Sequence, residues 1–323
     1  MECRICGYNN NSSFLDVVDR SSTNFQTYKY FQCSKCLTIQ LVDTCIDFAE
    51  SYQQYYSFDS TIEKVSSSNR IIIRILRAMY RRFILDPTFN GGKFFRLLKT
   101  LELADLGVES ISKVNLDKNA KVLEVGSGNG VLLYKLEMLG FTNLIGIDPY
   151  LIRDKKRGSV KLLKSDLKGF KTIAKFDLII LHHSLEHIDA PLETLKQCRK
   201  MLNPFGIILI AIPVVNLAFS LYGVNWVGMD APRHIHIFST VSIKLLFEKA
   251  NLSLINEYYN SDSKQFVVSN YYCKEKKRPF TTSESSLAAK ILTNISPLGR
   301  HYIRMASKLN EQGRGDQAVF YVR

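Results

Sequence analysis

The sequence predicts an α/β fold, a Rossmann-like sheet of seven strands covered by helices, preceded by a small cysteine-containing domain. Short apolar runs alternate with helical segments between residues 119 and 259. A glycine-rich turn follows the first of these runs, and two Cys-x-x-Cys pairs lie within the first 45 residues. The chain has 323 residues, enough for one sizeable α/β domain and a smaller one.

The apolar runs are the evidence for the individual strands. They lie at Ala120–Val125, Asn143–Ile147, Val160–Leu163, Phe176–Leu181, Gly206–Ile212, Leu252–Tyr258 and Ala318–Val322. One helix is predicted at Val131–Leu139, ended by Gly140. Another is predicted at Pro191–Leu202, where the proline occupies the first turn and its missing N–H costs nothing.

Changes in composition divide the chain into three predicted regions. Residues 1–47 hold the paired cysteines and two β-like runs, Phe14–Val18 and Tyr28–Gln32. Residues 48–117 are polar and aromatic at first and then strongly helical, as in a linker or cap. Residues 118–323 form the α/β domain, with a mostly helical, serine-rich insertion at about 262–313.

Four of the seven cysteines form two pairs, Cys3 with Cys6 and Cys33 with Cys36, separated by 26 residues. Two such knuckles bring four thiolates to a tetrahedral Zn²⁺ at about 2.3 Å. We therefore predict a structural zinc ribbon, in which the metal replaces the core that about 40 residues cannot build alone. A redox role is disfavoured because neither pair precedes a helix in a βαβ unit. The remaining cysteines, Cys45, Cys198 and Cys273, lack this spacing.

A glycine-rich loop, Glu124–Gly130, connects the first strand of the sheet to its helix. Its three glycines let the backbone approach a ligand closely, and the helix N-terminus offers N–H groups to it. A dinucleotide-binding fingerprint would need glycine where the chain has Val131, and it has no acid like Glu124 in its first strand. Asp148 ends the second strand, where an acid typically bonds ribose hydroxyls, and Asp166 follows the third, where it could face an adenine amine. A tight turn without a ligand is the alternative.

Longer motifs resemble a family of bacterial zinc-ribbon, class I S-adenosylmethionine-dependent methyltransferases. The similar segments are Cys33–Cys36 followed by Glu50–Phe58, Gly146–Tyr150, His182–His187, Trp226–His234 and Tyr259–Phe266. The resemblance implies a seven-stranded class I methyltransferase sheet, S-adenosylmethionine as cofactor and a structural Zn²⁺. It implies cofactor contacts from Glu124, Gly126, Ser127, Gly128, Gly130, Asp148, Pro149, Asp166, Leu167, His182 and His183.

Two positions depart from the family pattern. Leu37 stands where a glycine usually follows the last cysteine, and Asn203–Gly206 lacks the usual paired glycines before the fifth strand. Both affect turn geometry rather than chemistry, so the expected activity is unchanged.

The family resemblance also bears on the substrate. Such enzymes commonly lie among genes for surface polysaccharides and are similar in layout to sugar C-methyltransferases. This implies methyl transfer to a sugar, as a nucleotide sugar or a lipid-linked or glycan intermediate. The alternatives are another small molecule, a lipid or nucleic acid as acceptor, and an inactive zinc-ribbon interaction protein. The nearly balanced charge of residues 1–45 disfavours nucleic acid, and the intact Glu124, glycines and Asp148 disfavour inactivity.

Methyl transfer requires an oriented nucleophile and usually a base that removes its proton. His234 and His236 lie between the fifth strand and the next helix, at the predicted carboxyl edge of the sheet. Histidine titrates near neutrality, so either could serve as the catalytic base; we predict His234, because it lies within the Asp230–His234 motif. The alternative is that His234 only orders its loop by hydrogen bonding.

Three histidines and an acid follow the fourth strand, His182, His183, Glu186 and His187. A strand-to-helix turn would point these side chains in different directions, so we expect no second metal site there. We predict instead that Glu186 and His187 contribute to catalysis on the substrate side.

Five further residues are candidate substrate contacts, Tyr55, Tyr56, Tyr222, Trp226 and Arg233. Aromatic rings and a guanidinium suit stacking on a sugar or gripping a phosphate. For Trp226, packing in the core is the alternative interpretation.

The net charge is +13, from 43 Lys and Arg against 30 Asp and Glu, which favours anionic partners or simply keeps the protein soluble. Arginines at 70, 74, 77 and 81 recur at helical spacing opposite an apolar face. Such a helix over 70–84 either packs on its apolar face or rests on an anionic membrane. No apolar run is long enough to span a bilayer, and the N-terminus has no signal-peptide core, so we expect a cytoplasmic protein, with the inner face of the membrane left open.

Overall fold

The computed structural model describes residues 1–9, 13–20, 25–44, 106–275 and 296–323. The predicted helix at 70–84, the candidate contacts Tyr55 and Tyr56, and Cys45 lie outside these residues. The chain divides into two compact units. Unit 1 comprises Met1–Asp47, His183–Arg199 and Ile210–Arg323, and unit 2 comprises Phe48–His182 and Lys200–Leu209.

The described strands and helices are numbered in chain order. The strands are β1 (Ser13–Val18), β2 (Thr27–Gln32), β3 (Ile39–Leu41), β4 (Lys121–Val125), β5 (Asn143–Ile147), β6 (Lys155–Arg157), β7 (Val160–Leu163), β8 (Phe176–His182), β9 (Leu202–Pro213), β10 (His236–Ile237), β11 (Leu254–Tyr259) and β12 (Gln317–Val322). The helices are α1 (Leu106–Ser112), α2 (Val131–Met138), α3 (Pro191–Met201), α4 (Leu217–Tyr222), α5 (Thr240–Lys249), α6 (Lys264–Lys274) and α7 (Pro297–Glu311).

Unit 2 contains the parallel strands that the apolar runs predict. β4 pairs in parallel with β5 and with β8, and β5 pairs in parallel with β7. The three-residue strand β6, absent from the prediction, adds an antiparallel edge beside β7. The strands read as continuous apolar runs because both faces are covered, and Val122, Leu123 and Ile180 are fully buried. Parallel pairing brings the carboxyl ends of β4, β5 and β7 to one edge, where ligands bind in such sheets.

In unit 1, β9 continues beside β12, which pairs antiparallel with β11. The strand order β11-β12-β9 extends the sheet at this edge with the antiparallel pair β11 and β12, and the predicted α/β fold class is confirmed. β9 is longer than the predicted strand and begins at Leu202 rather than Gly206.

The N-terminal residues of unit 1 form a second sheet, in the order β1-β2-β3-β10. β1 and β2 make the hairpin expected from the runs at Phe14–Val18 and Tyr28–Gln32. The fourth strand, β10, lies far later in the chain, at His236–Ile237, and pairs with β3. His236 therefore belongs to this ribbon sheet, opposite Gln40.

No helix among the described residues is long and apolar enough to cross a membrane.

Candidate functional site

The glycine-rich loop of unit 2 follows β4 and has the backbone geometry that glycine permits. Gly126, Gly128 and Gly130 have φ angles of 74°, 52° and 76°, all in the left-handed region. The amides of Gly126 and Ser127 both donate to the Ile147 carbonyl, at 2.9 and 3.1 Å, which anchors the loop to the end of β5. A side chain at any of these glycines would strain the turn, so the loop approaches a ligand as bare backbone.

Asp148, the first residue after β5, is buried and holds this loop in place. One carboxylate oxygen accepts the Gly128 N–H at 2.9 Å, and the other accepts the Tyr150 N–H at 2.9 Å. Each oxygen has a further lone pair for a ligand hydroxyl. The acid predicted to bind a ribose thus also shapes the turn.

The other predicted cofactor residues surround the same strand ends of unit 2. Glu124 is 4% exposed and lies in β4 beside Gly146 of β5. A Cβ at Gly146 would come within 2.5 Å of Ser127 Oγ, so the strand and the loop pack closely only because this residue is glycine. Asp166 is exposed and accepts the Gly169 N–H at 2.7 Å. Leu167 is buried, Pro149 is exposed, and His182 ends β8 half-buried.

A cluster of acid and histidine side chains forms in unit 1. Glu186 and His187 lie in a 3₁₀ turn, Leu185–His187, and His234 lies in the loop before β10. Their ligating atoms all lie within 4.8 Å of one another. The distance from His234 Nε2 to the nearer Glu186 oxygen is 4.0 Å, and the two imidazole rings are 4.9 Å apart between centroids. The structure therefore joins two predicted catalytic segments that are 47 residues apart in the chain.

Both rings of this cluster are held by backbone carbonyls. His187 Nδ1 is 2.8 Å from the Arg233 oxygen, and His234 Nδ1 is 2.9 Å from the Gly228 oxygen. A carbonyl can only accept, so Nδ1 carries the hydrogen and Nε2 carries the lone pair in both neutral rings. His234 thus makes a hydrogen bond within its own loop through Nδ1, and its Nε2 lies 4.0 Å from Glu186.

The electrostatics of the cluster favour an ionised Glu186 and a neutral His187. Burial alone would raise the pKa of Glu186, but the close His183 side chain outweighs it and lowers that pKa to about 2. Burial lowers the pKa of His187 to about 4, against the opposing effect of Glu186. His183 Nδ1 is 3.4 Å from the same carboxylate.

Asp230 and Arg233 frame the loop that carries His234. Arg233 Nη2 lies 2.8 Å from Asp230 Oδ1 and 2.7 Å from Asp230 Oδ2, and the same Oδ2 is 3.7 Å from His234 Nε2. Burial would raise the pKa of Asp230, but Arg233 and His234 hold it below its usual value. Arg233, a candidate phosphate contact, is thus already paired with an acid.

His236, Trp226 and Tyr222 lie in different surroundings. His236 is fully buried, its Nε2 is 3.2 Å from the Asp189 carbonyl, and burial lowers its pKa to about 3. Trp226 is 1% exposed, with its indole N–H donating to Asp316 at 2.9 Å, which matches the core-packing interpretation. Tyr222 accepts a hydrogen bond from Asn270. These hydrogen bonds of the three side chains go to residues outside the cluster.

The four paired cysteines meet as their spacing predicts. Their sulfurs all lie within 4.8 Å of one another, with 3.5 Å between Cys3 and Cys36 and 3.6 Å between Cys6 and Cys33. Four thiolates in such an arrangement are a donor set that suits tetrahedral Zn²⁺. Gln40 donates to the Cys3 sulfur at 3.0 Å, as residues around metal-bound thiolates often do.

Sequence reasoning missed the contacts between the ribbon and the His234 loop. Tyr30 OH, in β2, donates to the His234 carbonyl at 3.0 Å, and Ser239 Oγ donates to the Cys36 carbonyl at 2.6 Å. No spacing or motif relates these residues, which are about 200 positions apart. The ribbon therefore supports the loop that carries the candidate base.

Comparison with known proteins gives matches to the α/β part of the chain. Residues 99–257 match the family model described as a methyltransferase domain. The mitochondrial ubiquinone biosynthesis O-methyltransferase of Saccharomyces cerevisiae is 31% identical over 195 residues, 55% of this chain and 60% of that protein. The ubiquinone biosynthesis O-methyltransferase of Bradyrhizobium diazoefficiens is 25% identical over 138 residues, 39% of this chain and 54% of that protein.

The chain thus spans between 54% and 60% of the length of these curated relatives. Among solved structures, a cyclopropane synthase of Mycobacterium tuberculosis is similar with a TM-score of 0.44 and 16% identity, over 75% of this chain and 93% of that one. The family match and the two relatives agree with the enzyme class expected from the glycine-rich loop. Residues 99–257 are thus similar to a methyltransferase domain, and the matches support S-adenosylmethionine-dependent methyl transfer as the enzyme class.

Proposed function

We propose that the protein transfers a methyl group from S-adenosylmethionine to a hydroxyl oxygen, and that the acceptor is a sugar of a surface-polysaccharide precursor. The main observation in favour of methyl transfer is the loop after β4, with its three left-handed glycines and its hydrogen bond to Asp148. This loop lies in the part of the chain that matches a methyltransferase domain. The proposal of a sugar as the acceptor is based on the resemblance of the ribbon and the Asp230–His234 motif to polysaccharide-pathway enzymes.

The loop of unit 2 suits the proposed cofactor. Its glycines leave room for the methionine and ribose portions, and Asp148 keeps lone pairs for the two ribose hydroxyls. Asp166, which is exposed, is proposed to meet the adenine amine. When bound, S-adenosylmethionine would supply the sulfonium methyl group.

His234 is the proposed base. Its Nδ1 is fixed by the Gly228 carbonyl, so Nε2 is the atom that would take the hydroxyl proton. The resulting imidazolium would be stabilised by Glu186, at 4.0 Å, and by Asp230, at 3.7 Å. We propose that the four cysteines hold a structural Zn²⁺ and, through Tyr30 and Ser239, keep this loop in position.

A phenol or quinol is the second candidate acceptor, favoured by the names of the two curated relatives, which are ubiquinone biosynthesis O-methyltransferases. A phenol loses its proton more readily than a sugar hydroxyl and would depend less on a base. The two candidates therefore differ in the expected effect of removing His234.

The test combines cofactor binding with methyl transfer to a panel of nucleotide sugars and of catechols. We expect calorimetry to show S-adenosylmethionine binding, and His234→Ala to lower turnover by about 100- to 10,000-fold while leaving cofactor binding unchanged. His301→Ala, at an exposed histidine of α7, is the matched control. Absence of binding at about millimolar cofactor, the range of weak Kd values, would refute methyl transfer. Near-normal turnover of His234→Ala would remove that residue from the role of base.

A further inference from the structure

The cluster of Glu186, His187 and His234 has the composition of a metal site that its sequence did not suggest. Sequence reasoning expected no metal because a strand-to-helix turn would spread the side chains after β8. The chain forms a 3₁₀ turn at Leu185–His187 instead, and the third side chain, His234, comes from a distant loop. One nitrogen of each ring and a carboxylate oxygen all lie within 4.8 Å of one another.

The imidazole rings are oriented as metal-binding histidines usually are. Ligating histidines commonly donate one ring N–H to a backbone carbonyl, which fixes the ring and leaves the other nitrogen for the metal. His187 and His234 both do so, through Nδ1, to the carbonyls of Arg233 and Gly228. The Nε2 atoms then carry the lone pairs that a metal requires.

Glu186 supplies the second, independent observation. Its side chain is fully buried, and neither carboxylate oxygen is in hydrogen-bonding geometry. The nearest basic nitrogens, His183 Nδ1 and His234 Nε2, are 3.4 and 4.0 Å away. A buried carboxylate without hydrogen bonds is costly, and a coordinated cation would offset that cost.

We propose that Glu186, His187 and His234 bind one divalent first-row transition metal ion, with Zn²⁺ as the leading candidate, separate from the four-cysteine cluster. Two imidazole nitrogens and one carboxylate favour Zn²⁺, Fe²⁺ or Ni²⁺ over Mg²⁺ and Ca²⁺, which prefer oxygen ligands. Three protein ligands leave a coordination position open, as in catalytic rather than structural zinc sites. Asp230 is bound to Arg233 and does not complete the set.

The consequence for chemistry rests on the proposed function. An acceptor hydroxyl at the open position would have its pKa lowered by the metal, and its proton would pass to water. The oxygen then attacks the methyl carbon; the O–C bond forms, the C–S bond breaks, and its electrons return to sulfur as a neutral thioether. Nε2 of His234 has a single lone pair, so His234 can serve as the base only while this site is empty and is a ligand when the metal is bound.

Metal content of the purified full chain is the first test, and it does not depend on activity. We expect two equivalents of metal per chain in the wild-type protein reconstituted with Zn²⁺. Glu186→Gln keeps the size of the side chain and removes its charge, and we expect it to retain one equivalent. Glu193→Gln, at an exposed glutamate of α3, is the matched control and should retain two. A single equivalent in the wild type, released together with the cysteine site, would overturn the inference.

Cobalt spectroscopy keeps the test valid if Glu186→Gln fails to fold, because it uses the wild-type chain. Co²⁺ bound to thiolates shows a sulfur-to-metal charge-transfer band, whereas Co²⁺ bound to two imidazoles and a carboxylate shows only ligand-field bands. We expect a titration to show both signatures in sequence. Saturation with the thiolate signature alone would refute the second site.

Activity then separates this inference from the proposed function. If turnover with S-adenosylmethionine persists after a chelator has removed all metal except that of the cysteine cluster, the second site has no role and His234 remains the base. If no preparation binds S-adenosylmethionine while two metals are found, the proposed function fails and the metal site stands.

Discussion

Unit 1 holds two clusters of side chains that could ligate a metal, and the two differ in how the sequence brings their residues together. The four cysteines are grouped in two short motifs whose spacing alone predicts their meeting. Glu186, His187 and His234 come from a 3₁₀ turn and a distant loop, and only folding brings them together. Residue spacing in the sequence can therefore predict a site whose ligating residues form two short motifs. It cannot predict a site in which one ligating residue comes from a distant loop.

The two clusters are also connected. β3 and β10 pair at the end of the ribbon sheet, and β10 begins two residues after His234. Tyr30 and Ser239 add hydrogen bonds between the ribbon and this segment. The ribbon that holds the cysteine cluster therefore supports the loop that carries His234. A substitution that unfolds the ribbon should also displace His234 from Glu186 and His187.

The largest expected effect follows from breaking the cysteine cluster. Cys33→Ser removes one thiolate of four, and since zinc binding to such sites contributes on the order of 10 kcal/mol to folding, the ribbon should unfold. We expect loss of the thiolate-bound metal and of nearly all methyl transfer, measured by metal content and turnover, with S-adenosylmethionine binding retained in unit 2.

Cys273→Ser, at an exposed thiol of α6, is the matched control and should behave as the wild type. If Cys33→Ser keeps both the thiolate-bound metal and full turnover, the ribbon is neither a zinc site nor a support for the His234 loop.

The next prediction, with a smaller expected effect, concerns two buried acids of unit 1, Asp316 and Glu186, whose pKa values are shifted in opposite directions. Burial raises the pKa of Asp316 to about 6, since hydrogen bonds from Trp226 and Ser261 do not compensate, whereas histidines lower that of Glu186. The folded-state pKa of Asp316 lies above its ordinary value, so its contribution to stability is present below about pH 4 and is lost as the pH rises through 6. A shift of about two units corresponds to about 3 kcal/mol.

Asp316→Asn should remove this pH dependence. We expect the free energy of unfolding of the variant, relative to the wild type, to rise by up to about 3 kcal/mol between pH 4 and pH 7, measured by urea denaturation. Glu248→Gln, at an exposed acid of α5, serves as the control. A difference between Asp316→Asn and the wild type that does not change with pH would contradict the assigned cause.

Most of the fold could be predicted from sequence because it depends on local patterns. Apolar runs located β4, β5, β7 and β8 within a residue or two, and the three glycines marked their loop. β6 and β10 escaped prediction because they have only three and two residues and no apolar run. The roles of Tyr30 and Ser239 could not be predicted, since each depends on a partner about 200 residues away.

The smallest effect concerns the two knuckles of the ribbon itself. In each, the residue after the second cysteine donates its N–H to the carbonyl of the first cysteine, Gly7 at 2.8 Å and Leu37 at 2.9 Å. Both have left-handed φ angles, 75° and 60°. The family's usual glycine is thus explained by backbone geometry, and Leu37 adopts a conformation that costs a residue with a Cβ about 1–2 kcal/mol.

Leu37→Gly should therefore stabilise the ribbon by about 1 kcal/mol, because a side chain that is 45% exposed loses little burial. Gly7→Ala is the reciprocal change: the added Cβ meets nothing nearer than Glu2 at 3.7 Å, so the conformational strain alone should destabilise the ribbon by about 1 kcal/mol. Thermal unfolding followed by zinc release measures both. Effects of the same sign in the two variants would show that the knuckles are not equivalent and that packing of Leu37 outweighs its backbone strain.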